Sequence, residues 1–380
     1  LLCAGGQYRA LEIWLRKLMG YWQAKEKMPQ QLSFDEISLL IDVLRPKQTA
    51  DVNLYAQVEW ANERIKSFTE QQLLLLDAVE ANPRVLCSGS AGTGKTFMAM
   101  ELARRWTSAG KKVLLICRSQ WLKNFLMADF RLPNLTISTL EALAITVRRA
   151  RIECYDFLLV DEGQDLFDVE LLHQVEAYLS GGFEHGRWVF FHDINNQAGL
   201  FGKVDEKVFS KLKCLAPVQI PLRRNCRNTA NILDVIREYT GADMGVEAVG
   251  AGPIVKIAEA TSATQLINIL KQSVVDIIDH GGLPAAELTI LTDKSPRCFM
   301  QNVTRFLSCK VAVLDDYSMQ HFPPNSVSLT SIDAFKGLEN TAVILCLDKN
   351  NYEISQQKLL NYVGMSRARV LLHVIFLNEA

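Results

Sequence analysis

Residues 89–96 combine the residue types that bind phosphate. They are Gly-Ser-Ala-Gly-Thr-Gly-Lys-Thr and fit the pattern G-x-x-x-x-G-K-[ST]. The glycines let the backbone curl so that successive N–H groups face phosphate oxygens beside the positive end of a helix. Lys95 is then expected to reach the β- and γ-phosphates, and the Thr96 hydroxyl to bind Mg²⁺. The pattern predicts that ATP and Mg²⁺ bind at Gly89, Ser90, Ala91, Gly92, Thr93, Gly94, Lys95 and Thr96.

A pair of carboxylates, Asp161 and Glu162, follows the apolar run at residues 157–160. A carboxylate at the carboxyl end of a strand, across from the phosphate loop, is placed to hold Mg²⁺ through its water shell. The adjacent glutamate is able to accept a proton from the water that attacks the γ-phosphate. We therefore expect Asp161 to bind the metal and Glu162 to act as the general base.

The elements that must position these residues are short apolar runs separated by helical patterns. Near-continuous apolar runs are typical of strands buried on both faces of a parallel sheet, and their alternation with helices predicts βαβ units. The fold class is therefore α/β, with two such domains. The predicted strands are 85–87, 113–116, 157–160 and 188–191 in the first domain, and 254–257, 288–291, 311–314, 327–329, 342–347 and 370–375 in the second.

The chain is predicted to divide into a helical N-terminal segment at 1–66, a first α/β domain at 67–222 and a second at 223–380. The N-terminal segment carries an amphipathic helical pattern without recognisable chemistry, which favours a packed helical adaptor. The first residue is not Met, and the first residues lack the cationic leader of a signal peptide. We expect the chain to begin within a longer protein.

The composition and net charge of the chain limit the classes of protein to which it can belong. The 380 residues are 49% hydrophobic and 22% charged, as in ordinary globular proteins. A net charge of −1 argues against a uniformly basic nucleic-acid coat, although a local basic groove remains compatible with it. Nine cysteines without a CxxC pair favour reduced thiols in a cytoplasmic protein. Apolar runs are too short to span a bilayer, so we expect no membrane partner.

Six segments together resemble the motifs of one enzyme family. Residues 161–165, Asp-Glu-Gly-Gln-Asp, resemble the DExQD box of UvrD-like superfamily 1 DNA helicases. Five further segments resemble the Q motif and motifs III, IV, V and VI of that family in its own order; they are residues 68–72, 193–197, 225–229, 331–339 and 362–369. The resemblance implies two RecA-like P-loop NTPase domains with parallel sheets.

The resemblance also implies roles for five residues outside the phosphate loop. Gln72 would bind the edge of the adenine, and Gln197 would couple the γ-phosphate to the DNA site. Glu339 would contact the nucleotide sugar. Arg227 would contact the γ-phosphate from the second domain, and Arg367 would be the arginine finger. Lys95, Glu162, Gln197, Arg227 and Arg367 form the expected catalytic set.

The similarity extends to the helicase halves of nuclease-related-domain (NERD) helicase proteins, through Leu44-Arg45-Pro46 and the segments at 68–72, 161–165 and 225–229. It implies single-stranded DNA as a partner, and a nuclease module or another protein as a second partner. Residues 1–66 lack the D…ExK arrangement that such nucleases need. The sequence therefore predicts no nuclease activity for this chain.

Departures from the family pattern leave alternatives open. Cys117-Arg118-Ser119-Gln120-Trp121 stands where the family has an aromatic-Asn pair, and Asp333 stands where it has a His. The altered segment at 117–121, together with spacings too short for the large accessory insertions of UvrD-type helicases, favours a nucleotide-gated interaction module, in which closure signals to a partner or a nuclease domain. A small-molecule kinase also uses a phosphate loop, but arginines from a second RecA-like domain argue against that class.

Overall fold

The computed structural model describes residues 54–129, 132–193, 206–247, 249–295, 309–315 and 322–378, together with residues 25, 299 and 318. The chain forms two compact units, 1–52 and 53–380, and every element described below belongs to the second unit. Most of the predicted N-terminal helical segment and the predicted site residue Gln197 lie outside the described residues.

The first sheet has six strands: β1 Arg84–Gly89, β2 Val113–Ile116, β3 Leu135–Ser138, β4 Phe157–Val160, β5 Arg187–His192 and β6 Val218–Leu222. Their order is β3-β2-β4-β5-β1-β6, and all neighbouring strands are parallel. Because the strands are parallel, the residues that follow β1, β4 and β5 meet at one edge of the sheet. This arrangement brings the phosphate loop and the acid pair together.

Helices connect these strands and cover both faces of the sheet. They are α1 Leu54–Glu80, α2 Lys95–Ser108, α3 Gln120–Asp129, α4 Leu143–Ala150, α5 Val169–Glu176, α6 Gly182–His185 and α7 Glu206–Cys214. With the sheet, α2 to α7 form the part that we call the first lobe.

The second sheet also has six strands: β9 Lys256–Ala260, β10 Leu288–Thr292, β11 Val311–Val313, β12 Val327–Ser331, β13 Asn340–Asp348 and β14 Ala368–Leu377. Their order is β11-β12-β10-β13-β14-β9, again with parallel neighbours throughout. Three helices pack on this sheet: α8 Ala230–Thr240, α9 Ala263–Val275 and α10 Ile354–Met365. We call this part the second lobe. Two short strands, β7 Arg224–Asn225 and β8 Val246–Glu247, pair beside it.

Two parallel α/β sheets confirm the predicted fold class of two RecA-like lobes. The strand predicted at 254–257 lies at Lys256–Ala260, and the strands β3 and β6 were not predicted. Strand β6 lies at the sheet edge, where four of its five residues are exposed or half-buried, so its sequence lacks the continuous apolar run of a central strand. The predicted domain limits at residues 66 and 222 remain a prediction.

Helix α1 runs without interruption through residue 66 and contacts both lobes. Val58 and Ala61, near its start, are buried in the apolar core of the second sheet. Leu76 and Val79, near its end, are buried in the core that contains β1 and α2. The helix therefore connects the two lobes along its length.

The two lobes share part of their apolar core. Leu122 and Leu126 of α3 belong to the same buried cluster as Phe335 and Leu338 of the second lobe. A β-carbon on Gly337 would lie 2.9 Å from a methyl carbon of Leu122, so the backbone between Phe335 and Leu338 lies directly against α3. Within the described residues, no helix is long and apolar enough to cross a membrane.

Candidate nucleotide site between the two lobes

The phosphate loop connects β1 to α2 and adopts the glycine-dependent conformation that its sequence predicts. Gly92 and Gly94 have φ angles of 84° and 83°, which a residue with a β-carbon rarely adopts. A β-carbon on Gly92 would also lie 2.6 Å from Asn228 Oδ1 and 2.7 Å from Asn225 Oδ1. Position 92 therefore needs glycine for both its dihedral angle and the close approach of the second lobe.

The ammonium group of Lys95 lies against the backbone of the phosphate loop. Its Nζ donates hydrogen bonds to the carbonyl oxygens of Gly89 at 2.8 Å and Ser90 at 2.9 Å, and the residue is buried. Helix α2 begins after Gly94, which contributes no side-chain cap to its first amides. Uncapped amides at a helix start and a buried ammonium together make a site for an anion such as a phosphate group.

The predicted metal residues lie together. The Thr96 hydroxyl donates to Asp161 Oδ2 at 2.6 Å, and Asp161 is buried where β4 ends. Within the described residues, no group of three or more His, Cys, Asp or Glu side chains is arranged so that it could hold a metal ion by itself. Mg²⁺ commonly takes one or two protein oxygens and obtains its other ligands from water and phosphate, so this oxygen pair fits that ion.

The pKa values of the two buried carboxyl groups, Asp161 and Glu162, are shifted in opposite directions. Burial and the neighbouring Glu162 charge raise the pKa of Asp161 to about 6, although its hydrogen bond from Thr96 acts in the opposite direction. Burial alone would also raise the pKa of Glu162, but the cations of Lys336, Lys95 and Arg367 and a hydrogen bond from Gln164 lower it to about 2. Glu162 is therefore ionised at neutral pH and is able to accept a proton.

Gln164 fixes the carboxylate of Glu162. Its Nε2 donates to Glu162 Oε2 at 2.6 Å, and its Oε1 accepts the backbone N–H of Asp193 at 2.9 Å. Asp193 directly follows β5, so Gln164 bridges the ends of β4 and β5. The sequence assigned no role to Gln164, although it is the fourth residue of the quoted DEGQD segment.

Arg367 lies fully buried in the second lobe. Its guanidinium donates to the carbonyl oxygens of Val363 at 3.0 Å and Leu338 at 3.2 Å and to the Ser366 hydroxyl at 2.9 Å. Burial, together with the charge of Arg227, lowers its pKa to about 10, while the charge of Glu162 in the first lobe acts in the opposite direction. The predicted finger residue is therefore held by its own lobe and interacts electrostatically with the proposed base.

Arg227 and Glu339 form an ion pair through Arg227 Nε and Glu339 Oε2. Both side chains are partly exposed and line the cavity described below. Because both side chains reach solvent through the cavity, this pair is weaker than a fully buried one, and a bound anion is able to compete for Arg227. The structure thus brings together two residues for which separate nucleotide contacts were predicted.

Second-lobe residues bind the phosphate loop itself. Asn225 Nδ2 donates to the Ala91 carbonyl at 2.9 Å, and the Cys226 N–H donates to the Gly92 carbonyl at 2.9 Å. The Ala91 N–H donates to the Tyr362 hydroxyl at 2.8 Å. No role was predicted from the sequence for Asn225, Cys226 or Tyr362. All three lie inside segments quoted for their resemblance to motifs IV and VI, which was the available signal.

A cavity of about 580 Å³ opens between the lobes at this contact, within the usual size range of small-molecule sites. Its walls come from the phosphate loop, α2, α3 and the second lobe, and include Gly94, Thr96, Phe97, Arg227, Gly337 and Glu339. Gln72 lies within α1, but its side chain is outside the described part of the structure, as is Gln197. The cavity is therefore lined by five predicted site residues: Gly92, Gly94, Thr96, Arg227 and Glu339.

Comparisons with known proteins agree with the phosphate-loop interpretation. Residues 67–179 match the family model of the AAA domain, and this stretch contains the phosphate loop and the acid pair. A search among curated proteins found no match.

Two solved structures are similar to this chain. One is a complex of Arterivirus nonstructural protein 10 (helicase) with DNA, at 15% identity and a TM-score of 0.42, over 79% of this chain and 62% of that chain. The other is the C-terminal domain of a possible DNA helicase from Lactobacillus plantarum WCFS1, at 17% identity and a TM-score of 0.32, over 40% of this chain and 88% of that chain. The chain spans less than two thirds of the viral protein. Likenesses this distant say nothing of the substrate of this chain.

Replacing Asp161 by Asn should stabilise the protein when nucleotide and Mg²⁺ are absent, because it removes a buried charge. A carboxyl group whose pKa is raised to about 6 in the folded protein stabilises the fold most at a pH below its pKa in the unfolded chain, which is near 4. This stabilisation is lost as the pH rises through 6. The melting temperature of Asp161→Asn relative to wild type should therefore rise between about pH 4.5 and pH 7.5.

Asp156→Asn serves as the control for this measurement. Asp156 is exposed in the same lobe, and its carboxylate accepts the Lys112 N–H at 2.8 Å. We expect no comparable rise for this variant. A difference between Asp161→Asn and wild type that stays constant over this pH range would contradict the electrostatic description of the acid pair.

Proposed function

We propose that this protein is the ATP-hydrolysing motor of a UvrD-like superfamily 1 helicase or translocase, closest to the helicase half of NERD helicase proteins. The observation that carries the proposal is the composition of the cleft. Thr96, whose hydroxyl donates to Asp161, lines the cavity from the first lobe, next to Lys95 of the phosphate loop, and Arg227 and Glu339 line it from the second lobe. A nucleotide bound there would contact both lobes, which is the arrangement that a two-lobed motor needs.

The described residues support distinct roles in hydrolysis. The α2 amides and Lys95 would bind the phosphates, and Thr96 and Asp161 would hold Mg²⁺, which neutralises phosphate charge when bound. Glu162, ionised and oriented by Gln164, would accept the proton of the attacking water. Gln72 is proposed to bind adenine, and Gln197 to couple the γ-phosphate to a nucleic-acid site.

The second lobe would make hydrolysis depend on closure of the cleft. In the structure Glu339 pairs with Arg227, and both side chains line the cavity. A γ-phosphate would compete with Glu339 for that guanidinium, and it would leave the Glu339 carboxylate available to the nucleotide sugar. Arginines that neutralise charge on a transferred phosphoryl group can contribute ~10³–10⁵ in rate.

Single-stranded DNA is the proposed polymer, on the strength of the motif resemblance and its order along the chain. A strand would lie over the carboxyl ends of the first sheet, near Arg118, Trp121 and Thr139. Arg118 is partly exposed beside α3 and is available to a phosphate if it leaves its present partner, Glu141, at 2.7 Å. Alternating closure and opening of the lobes would then move the protein along the strand.

A second candidate is a nucleotide-gated interaction module in the cytoplasm, in which closure signals to a nuclease domain or another partner. Three observations favour it. Arg118, in the segment expected to contact DNA, is paired with Glu141, and Asp333 adds a carboxylate where the family has a His. In addition, Leu122 of α3 packs tightly against Gly337 of the second lobe. Such a module would bind and hydrolyse ATP without a response to nucleic acid.

Replacing Lys95 by Ala should abolish ATP hydrolysis, because it removes the buried cation of the phosphate loop. Steady-state turnover should fall to background, while circular dichroism and the melting transition still report a folded protein. Lys349→Ala is a suitable control, since it removes a partly exposed lysine that pairs with Glu259 on the second lobe. Substantial turnover in Lys95→Ala would contradict the assignment of residues 89–96 as the phosphate-binding loop.

Replacing Arg227 by Ala should lower turnover by at least ~100-fold, or ~2.7 kcal/mol at ~1.36 kcal/mol per decade, with little change in melting temperature. Its ion pair with Glu339 is partly exposed and contributes little to the fold. Arg237→Ala is the matched control, because it removes a second-lobe arginine that pairs with Asp234 at 2.9 Å away from the cleft. Equal turnover in the two variants would mean that the second lobe does not complete the site.

Single-stranded DNA should stimulate ATP hydrolysis, whereas duplex DNA should stimulate it less. The affinity for the strand should fall with salt, with a log–log slope of about −0.7 for each phosphate contact. Turnover with single-stranded DNA, single-stranded RNA and duplex, measured over a salt series, tests both points. Robust ATP hydrolysis that no nucleic acid alters would favour the interaction module instead.

A further inference from the structure

Tyr362 joins the second lobe to two parts of the first lobe through one hydroxyl group. It lies in α10 and is 1% exposed. Its hydroxyl accepts the Ala91 N–H of the phosphate loop at 2.8 Å and donates to Asp193 Oδ2 at 2.5 Å. A phenol is both a donor and an acceptor, so one group serves both bonds.

The bond to Asp193 continues as a path of hydrogen bonds to the proposed base. The Asp193 N–H donates to Gln164 Oε1 at 2.9 Å, and Gln164 Nε2 donates to Glu162 Oε2 at 2.6 Å. Every residue on the path is buried, as is Tyr362 itself. Buried networks of this kind hold their members in one arrangement, because water cannot replace a broken bond.

The hydroxyl of Tyr362 remains protonated throughout the physiological pH range. Burial, with the charge of Asp193, raises its pKa well above the ordinary value of a tyrosine. The hydroxyl is therefore a fixed donor to Asp193 and takes no part as a base. Its contribution is the position of the groups that it binds.

We propose that Tyr362 is a positioning residue for ATP hydrolysis, and that its hydroxyl aligns Glu162 with the phosphate loop through Asp193 and Gln164. The proposal rests on the proposed function, because it presumes that Glu162 accepts a proton in that reaction. The proposed role gives the second lobe a part in hydrolysis that is separate from the roles of Arg227 and Arg367. Glu162 is correctly held only while α10 is seated on the phosphate loop.

The geometry makes this role distinguishable from simple adhesion between the lobes. An adhesive contact would affect stability and nucleotide affinity, because both depend on how well the cleft is assembled. A positioning contact to the base acts on the chemical step, so its loss lowers kcat and leaves KM for ATP nearly unchanged. The split between the two constants is the decisive readout.

Tyr362→Phe removes only the hydroxyl and keeps the ring in the core. Tyr155→Phe is the matched control, because Tyr155 is also fully buried and its hydroxyl donates to Thr136 Oγ1 at 2.8 Å, away from the site. Both variants should stay folded, with the larger fall in melting temperature in Tyr362→Phe, because it removes two buried hydrogen bonds rather than one. Only Tyr362→Phe should lower kcat, by about tenfold or more, which corresponds to ~1.36 kcal/mol.

Gln164→Met breaks the same path inside the first lobe and leaves the bond between Tyr362 and the phosphate loop in place. It should lower kcat as Tyr362→Phe does, and the double variant should lose little more than either single variant, because both act through one path. If Tyr362→Phe fails to fold, Asp193→Ala replaces it, because it removes the acceptor of the Tyr362 hydroxyl and keeps the Asp193 N–H that donates to Gln164.

The outcomes separate this inference from the proposed function. A wild type that hydrolyses ATP, with kcat in Tyr362→Phe or Gln164→Met equal to that of Tyr155→Phe, overturns the positioning role and leaves the ATPase intact. A fall in affinity with an unchanged kcat also overturns it, in favour of adhesion. A wild type whose turnover does not exceed that of Lys95→Ala removes the proposed function and this inference together.

Discussion

The contact on which the site depends is the one between the phosphate loop and the second lobe. Both backbone groups of Ala91 are bonded across the lobes, its N–H to Tyr362 and its carbonyl to Asn225. The neighbouring Gly92 must lack a β-carbon because Asn225 and Asn228 lie against it. A loop that binds phosphate through its backbone is thus shaped partly by residues more than a hundred positions away. Because the second lobe contacts the loop in this way, cations from both lobes lie close to the cleft.

Buried charge is the second constraint on the site. Asp161 and Glu162 bring two carboxylates into the interior, which is costly unless cations or hydrogen bonds compensate them. Lys95 comes from the first lobe, whereas Lys336 and Arg367 come from the second, and all three lower the pKa of Glu162. Two of the three cations that favour the ionised form of Glu162 therefore come from the second lobe. The same charges prepare the cleft for the negative phosphates of a nucleotide.

Local sequence predicted the fold class and the first-lobe half of the site. Strands such as 157–160 are buried on both faces and therefore appear as short apolar runs. The phosphate loop has a backbone conformation that its own glycines require, so a few consecutive residues are enough to predict either feature. The contacts of Tyr362 and Gln164 were not predictable in this way. Each joins residues distant along the chain, Tyr362 to Ala91 and Gln164 to Asp193, and depends on how the strands are ordered in the sheet. The ion pair of Arg227 with Glu339 escaped prediction for the same reason.

The central claim is that the second lobe stabilises the transferred phosphoryl group. The most direct measurement compares the affinity for ADP with Mg²⁺ and aluminium fluoride against the affinity for ADP, in wild type and in Arg227→Lys. Lysine keeps the charge but lacks the planar pair of donors, and the ratio of two affinities on one protein is independent of stability. We expect the wild type to prefer the transition-state analogue strongly, and Arg227→Lys to lose most of that preference while ADP affinity changes little. An equal preference in both proteins would contradict the account.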